Sequence, residues 1–98
     1  MTEKTENAFP KPADHQGRVY VVTGAASGIG KRIAELLHAE GACLVLADVS
    51  ETLLEIAVAL DAQWVVGDLS DPAPNRDCVA KAKQAFGHVD GAVMAAGW

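Results

Sequence analysis

Three closely spaced glycines are the residues of this sequence best suited to bind a phosphate. Gly24, Gly28 and Gly30 lie between a β-branched segment and a segment with helical periodicity, in the spacing G-x-x-x-G-x-G. Glycine permits a tight turn and lets the backbone approach a pyrophosphate closely. The first N–H groups of the following helix, at the positive end of its dipole, can then bind the anion. The alternative is a plain tight turn that serves only helix–strand packing.

A carboxylate further along the chain could bind the sugar of the same ligand. Asp48 closes the second apolar run of the sequence. At the end of a strand, a carboxylate can accept hydrogen bonds from an adenosine ribose and would repel a 2′-phosphate. Val49, Ser50 and Ser27 carry no positive charge that could offset this repulsion. The sequence therefore favours NAD over NADP, with a helix cap or a solvated loop acid as the alternative role of Asp48.

The segments that must position these residues alternate between strand and helix patterns. Strands are predicted at 18–23, 42–47, 63–66 and 91–95, and helices at 31–40, 51–60 and from 74 or 75 to 86. The order β-α-β-α-β-α-β indicates parallel pairing, and the continuous apolar strands require helices on both faces of the sheet. The predicted fold is α/β, a Rossmann-type doubly wound parallel sheet, truncated to about four of the usual six strands.

Apolar residues at helical spacing predict which face of each helix packs on the sheet. Gly41 is expected to end the first helix in a left-handed conformation, and Ser50 to cap the second. The residues expected to face inward are Ile29, Ile33, Leu36 and Leu37 in the first helix, Leu53, Leu54, Ala57 and Leu60 in the second, and Val79, Ala82 and Phe86 in the third.

Length and composition limit the number of domains and the kinds of binding partner that this chain can have. The chain has 98 residues and a net charge of −5, which allows one domain: a polar, flexible tail at 1–16 and a partial dinucleotide-binding domain at 17–98. The acidic balance disfavours a nucleic-acid partner. No apolar run reaches the roughly 18 residues of a membrane span. Cys43 and Cys78 have neither a disulfide-framework nor a metal-ligand spacing, so no metal is expected and a cytoplasmic location is the default.

Other residues that could carry chemistry have simpler interpretations. His38 and His88 are interpreted as structural, since neither belongs to a nucleophile–base arrangement. Trp64, at the start of the third strand, is expected to be a packing residue, and Lys81 to belong to a solvated helix face.

The motifs taken together resemble the short-chain dehydrogenase/reductase family over residues 17–98. The resemblance is carried by Thr23-Gly-Ala-Ala-Ser-Gly-Ile-Gly30, Asp48, Asp68-Leu69, Phe86-Gly-His-Val-Asp90 and Ala95-Ala96-Gly97. It implies that Asp48 binds the adenosine ribose, that Asp68 binds the adenine amino group, and that Leu69 packs beside the adenine ring. It also implies that the pyrophosphate and the adjacent ribose are lined by Gly24, Ser27, Gly28, Ile29 and Gly30, and that Ala95, Ala96 and Gly97 lie near the central sugars of the cofactor.

The sequence departs from the family pattern in two places. The family's usual Asn-Asn-Ala-Gly reads Met94-Ala95-Ala96-Gly97 here, which removes the amides that tie the fourth strand to its neighbours. The catalytic serine and Tyr-x-x-x-Lys pair are also absent, because Tyr20, the single tyrosine, is followed four positions later by Gly24.

The resemblance therefore implies the cofactor-binding half of an NAD-dependent oxidoreductase. A complete member would transfer hydride between nicotinamide and a small alcohol or carbonyl substrate, but no catalytic residue and no turnover are expected from these 98 residues. The alternative is a non-catalytic nucleotide-binding or interaction module completed by a partner chain, because an open edge of the fourth strand invites oligomerisation. A methyltransferase is disfavoured by the Thr-Gly-x-x-x-Gly-Ile-Gly spacing.

Overall fold

All four strands lie in one parallel sheet. The computed structural model describes residues 16–95; Ala96 and Gly97, expected near the cofactor, lie outside this range. The elements follow the predicted order: β1 (Val19–Thr23), α1 (Gly28–Ala39), β2 (Cys43–Asp48), α2 (Leu53–Ala59), β3 (Gln63–Val66), α3 (Pro72–Phe86) and β4 (Gly91–Met94). The strand order is β3-β2-β1-β4, with Val21 level with Val45 on one side and with Ala92 on the other.

Each face of the sheet carries its own apolar core, as the continuous apolar strands predict. Neighbouring residues of a strand point to opposite faces, so Leu44 and Leu46 of β2 join one core while Val45 and Ala47 join the other. Helices α1 and α2 contribute to the first core, and α3 contributes to the second. The doubly wound α/β architecture is therefore confirmed.

The predicted inward faces of the helices are partly wrong. Ile29 is 72% exposed and Leu36 is 48% exposed, while α1 buries Gly30 and Ala34. Leu54 and Val79 are also exposed; α2 buries Leu53 and Ala57, and α3 buries Cys78 and Ala82. The helices pack closely on the sheet through mainly small residues, because close packing leaves no room for large side chains directly beneath the helix axis. The larger apolar residues lie on the flanks.

Several element boundaries also differ from the prediction. Helix α3 begins at Pro72, where a proline is compatible with the first turn because its missing N–H has no helical partner there. Helix α2 begins at Leu53 with Thr52 as its N-cap, and Ser50 instead accepts a hydrogen bond from the Thr52 N–H in the preceding turn, at 3.3 Å. The prediction for Gly41 is confirmed by its φ of +87° directly after α1.

The two outer strands of the described sheet have different edges. On β3, the Lys81 ammonium reaches across from α3 and donates to the main-chain carbonyl of Trp64 at 2.8 Å. The same Nζ lies 4.8 Å from the centre of the Trp64 ring. Lys81 is therefore only half-exposed and not solvated as expected, while Trp64, 40% exposed, packs against Lys81. An ammonium bonded to a carbonyl of an edge strand occupies an acceptor that another chain would need, which disfavours pairing. Strand β4 has no such cover among residues 16–95.

Candidate functional site

The site is built at one edge of the sheet, where the carboxyl ends of the parallel strands meet. Main-chain hydrogen bonds join these ends: the Ala25 N–H donates to Ala47 at 3.1 Å, the Gly67 N–H to Asp48 at 3.0 Å, and the Ala95 N–H to Thr23 at 3.1 Å. Ligands of open α/β sheets bind outside this edge. The fold therefore brings together the glycine loop, Asp48, the 68–69 segment and the end of β4, as the sequence predicts.

The glycine loop is held by its own hydrogen bonds. Gly24 has a φ of +69°, the left-handed conformation that glycine adopts without strain. The Ser27 hydroxyl donates to the Gly24 carbonyl at 2.6 Å and accepts from the Gly30 N–H at 3.2 Å, so that Ser27 is the N-cap of α1. Gly30 is required sterically, because a Cβ there would lie 2.1 Å from the Gly24 carbonyl oxygen.

Two amide groups at the start of α1 have no hydrogen-bond acceptor among the described residues. The N–H groups of Gly28 and Ile29 make no hydrogen bond within residues 16–95, as expected for the first turn of a helix. A Cβ on Gly28 would meet nothing within 4 Å, so the described protein gives no steric reason for a glycine. No acidic side chain occupies the first turn, where one would ordinarily be favoured by the helix dipole. These features fit an anionic ligand approaching Gly28 and Ile29.

The Asp48 carboxylate lies beside this loop. Its Oδ2 accepts from the Ala26 N–H at 2.9 Å, and its Oδ1 accepts from the Ser50 N–H at 3.0 Å. Each carboxylate oxygen has a second lone pair, so the group can still accept hydrogen bonds from a ribose. Asp48 is half-buried, which rules out the alternative of a fully solvated loop acid. It does not cap α2 either, since Thr52 occupies the N-cap position.

Asp68 and Leu69 follow β3 at the same edge. Oδ1 of Asp68 accepts hydrogen bonds from the Ser70 hydroxyl at 2.7 Å and from the Ser70 N–H at 3.0 Å. These bonds lower the pKa of Asp68, because they stabilise the ionised carboxylate. Oδ2 makes no hydrogen bond within the described part of the chain. Leu69 is half-buried and packs against the core on the face of the sheet that α3 covers. This packing fixes the position of the exposed part of the Leu69 side chain.

A buried hydroxyl ties the end of β4 to β1. Thr23 is 2% exposed, and its Oγ1 donates to the Val93 carbonyl at 3.3 Å and lies 3.7 Å from the Met94 sulfur. With the Ala95 N–H bond to Thr23, these contacts hold a strand end that lacks the family's asparagine amides. Ala95 is half-buried at this position.

Sequence reasoning missed two residues of the site. Val49 directly follows Asp48 and is 68% exposed. Because Asp48 is the residue expected to bind the ribose, the sequence position of Val49 could have predicted an apolar contact with the ligand. Ala26 contributes through its main-chain N–H alone, so its side-chain type gave no signal. Exposed apolar side chains at a ligand-binding edge are candidates for contacts with a flat, apolar ring.

Two other described residues with shifted pKa values, Asp90 and Cys78, lie away from this edge. At the start of β4, Asp90 Oδ2 accepts from the Val19 N–H at 2.7 Å and lies 2.9 Å from His88 Nε2. The Val19 N–H is the main cause of the lowered pKa of Asp90, with His88 contributing. Burial, helped by Asp77, raises the pKa of Cys78 to about 11, so the thiol stays protonated and unreactive at neutral pH.

Comparisons with known proteins agree on one family. Residues 24–98 match the sequence model of a family described as enoyl-(acyl carrier protein) reductase. The 1,6-dihydroxycyclohexa-2,4-diene-1-carboxylate dehydrogenase of Pseudomonas putida is 42% identical over 79 residues, covering 76% of this chain and 29% of the relative. The NAD-dependent glycerol dehydrogenase of Listeria innocua is 34% identical over 89 residues, covering 88% and 35% respectively.

Solved structures agree with these sequence matches. A crystal structure described as a short-chain dehydrogenase/reductase, glucose/ribitol dehydrogenase, from Brucella melitensis superposes with a TM-score of 0.77 at 37% identity. The alignment covers 84% of this chain and 37% of that one. The present chain thus spans about a third of the length of its relatives. No helix within residues 16–95 is long and apolar enough to cross a membrane. On the strength of its glycine loop, its sheet order and these matches, the chain belongs to the short-chain dehydrogenase/reductase family.

Proposed function

We propose that this chain binds NAD at the carboxyl edge of its sheet, as the cofactor-binding part of an oxidoreductase. The observation that carries the proposal is the pair of N–H groups on Gly28 and Ile29, which have no acceptor within residues 16–95, and the open space around Gly28, where a Cβ would meet nothing within 4 Å. Such a pair, at the positive end of a twelve-residue helix, matches a pyrophosphate. The Listeria relative is itself named as NAD-dependent.

The adenosine part and the centre of the dinucleotide also have proposed ligands in this chain. Asp48 accepts hydrogen bonds from the adenosine ribose, and Asp68 Oδ2 accepts one from the adenine amino group. Leu69 and Val49 contact the adenine ring. The glycine loop, including Ser27, and the segment Ala95, Ala96 and Gly97 line the central part of the cofactor.

Bound NAD supplies a nicotinamide carbon that accepts or returns a hydride. The residues of this chain bind and orient the adenosine and pyrophosphate part of the molecule. Tyr20 lies near the start of β1, level with Gly91 at the start of β4, and so at the opposite end of the strands from the proposed cofactor edge. We accordingly propose that the 98-residue chain binds cofactor but does not turn over, and that its small alcohol or carbonyl substrate requires a complete form.

The preference for NAD over NADP follows from charge. A 2′-phosphate would meet the Asp48 carboxylate, which two backbone N–H groups hold in place, and neither Val49 nor Ser50 offers a cation. Isothermal titration of the 98-residue chain with both dinucleotides tests this. The wild type should bind NAD more tightly than NADP. Asp48→Ala should weaken NAD binding and reduce the difference between the affinities for NAD and NADP. Glu55→Gln removes the same charge from the exposed face of α2 and should bind as the wild type does. Tighter NADP binding by the wild type would refute the assignment.

A further inference from the structure

We propose that Asp48 is also a positioning residue, whose carboxylate fixes the phosphate-binding loop in its competent conformation before any ligand binds. This proposal rests on the proposed function. It assigns Asp48 a second role that is separate from its hydrogen bonds to a ribose.

The hydrogen bonds around Asp48 connect three strand ends. Its side chain holds the Ala26 N–H of the glycine loop at 2.9 Å, and its main-chain carbonyl holds the Gly67 N–H after β3 at 3.0 Å. The neighbouring Ala25 N–H is held by the carbonyl of Ala47 at 3.1 Å. The loop after β1 is therefore attached to the end of β2 by two consecutive amides, and only one of these bonds depends on a side chain.

Within residues 16–95, no second group accepts a hydrogen bond from the Ala26 N–H. Gly24 is bonded to Ser27, and Gly30 is bonded to the Ser27 hydroxyl, so these contacts are internal to the loop and the helix cap. Without the carboxylate, the Ala26 N–H would lose a charge-assisted hydrogen bond, which belongs to the stronger class. The segment that leads into Gly28 and Ile29 would then be anchored to β2 only through Ala25.

The two roles predict opposite effects on a ligand that has no ribose. If Asp48 acts only on the ribose, then Asp48→Ala leaves inorganic pyrophosphate binding unchanged or strengthens it, because a negative charge near the anion is removed. If Asp48 positions the loop, the same substitution weakens pyrophosphate binding despite that favourable change in charge. The sign of the effect therefore separates positioning from ribose recognition.

The experiment compares the 98-residue wild type, Asp48→Ala, Asp48→Asn and the charge-matched control Glu55→Gln. Amide hydrogen exchange without ligand should show Ala26 exchanging about tenfold faster or more in Asp48→Ala, while Ala25 serves as the internal reference. NMR titration with pyrophosphate should show affinity reduced about threefold or more in Asp48→Ala. Asp48→Asn retains one oxygen acceptor and should recover part of both losses, and Glu55→Gln should match the wild type.

Two results would overturn the positioning role. One is unchanged Ala26 exchange in Asp48→Ala, and the other is pyrophosphate binding that stays equal or becomes tighter in that variant. Failure of the wild-type chain to bind either pyrophosphate or NAD would instead overturn the proposed function. The exchange comparison would still decide whether Asp48 holds the loop, because it needs no ligand.

Discussion

Gly28 and Gly30 lie two residues apart in the same helix turn, and the structure predicts opposite consequences of replacing each with alanine. A Cβ on Gly30 would lie 2.1 Å from the Gly24 carbonyl oxygen and 2.7 Å from the Gly24 carbonyl carbon. Both atoms belong to the backbone, so the helix and the loop must separate by about 1 Å to restore an ordinary contact. A Cβ on Gly28 meets nothing within 4 Å.

The expected stabilities follow from these distances. Gly30→Ala should lower the free energy of unfolding by about 1–3 kcal/mol, the usual range for overpacking. Gly28→Ala introduces no clash and should leave stability unchanged or raise it by up to about 1 kcal/mol, because glycine is entropically unfavourable in a helix. Urea unfolding of the two variants and the wild type, followed by circular dichroism, measures both differences.

Nucleotide binding should separate from stability in the same pair. Gly28→Ala places a methyl group where the pyrophosphate is proposed to approach. NAD affinity should therefore fall at least about tenfold, which corresponds to a loss of about 1.4 kcal/mol of binding free energy. A folded Gly28→Ala variant with wild-type NAD affinity would show that no phosphate approaches this face of the loop. A Gly30→Ala variant as stable as the wild type would contradict the close packing of α1 on the loop.

Two further predictions concern the ends and edges of the sheet. The pKa of Asp90 is lowered in the folded state. The ionised Asp90 side chain should therefore stabilise the fold at pH values above its unfolded pKa of about 3.9, and this stabilisation should disappear as the pH falls through its lower pKa in the folded protein. Asp90→Asn should therefore be less stable than the wild type at pH 7 in urea unfolding, with a difference that shrinks in acid; a pH-independent difference would contradict this. Lys81→Met removes the bond to the Trp64 carbonyl and the contact with its ring, and should lower stability by about 1 kcal/mol and increase self-association in sedimentation velocity. Lys83→Met, an exposed lysine on the same helix, should behave like the wild type, and equal self-association of the two variants would refute the role of Lys81.

Association through the outer edge of β4 stays a prediction of the sequence. The outward side of this strand has no partner within residues 16–95, and an unpaired edge can accept a strand from another chain. Lys81 still covers the β3 edge in both the wild type and the Lys83→Met control. Self-association of these two proteins in sedimentation velocity therefore measures association through the β4 edge. A stable monomer in both proteins would count against association through β4.

The sequence predicts the element order because each strand is a short apolar run and each helix has its own periodicity. It also places Gly24 and Asp48 at the ends of neighbouring strands, since parallel strands end at a common edge. It fails on the helix faces, where Ala34 is buried and Leu36 is exposed, because hydrophobic periodicity does not show how closely a helix approaches a sheet. Which small residues of a helix contact the sheet can be recognised only once the distance between the helix and the sheet is known.

The site could be predicted only to the level of which residues share an edge. The bond between Asp48 and the Ala26 N–H joins a side chain at the end of β2 to the backbone of the loop after β1, and the amino-acid type at position 26 does not indicate it. The contact of Lys81 with Trp64 likewise depends on the way α3 lies beside β3. Both interactions are determined by packing between elements, which a single sequence does not encode in a local pattern.

The central claim is that a dinucleotide binds at the carboxyl edge through the first turn of α1. The most direct test is an NMR titration of the isotopically labelled 98-residue chain with NAD. We expect saturable shifts of the Gly28 and Ile29 amides, accompanied by shifts near Asp48 and Asp68 and by none along the outer face of α3. Absence of shifts at Gly28 and Ile29, or saturable shifts confined to another surface, would contradict it.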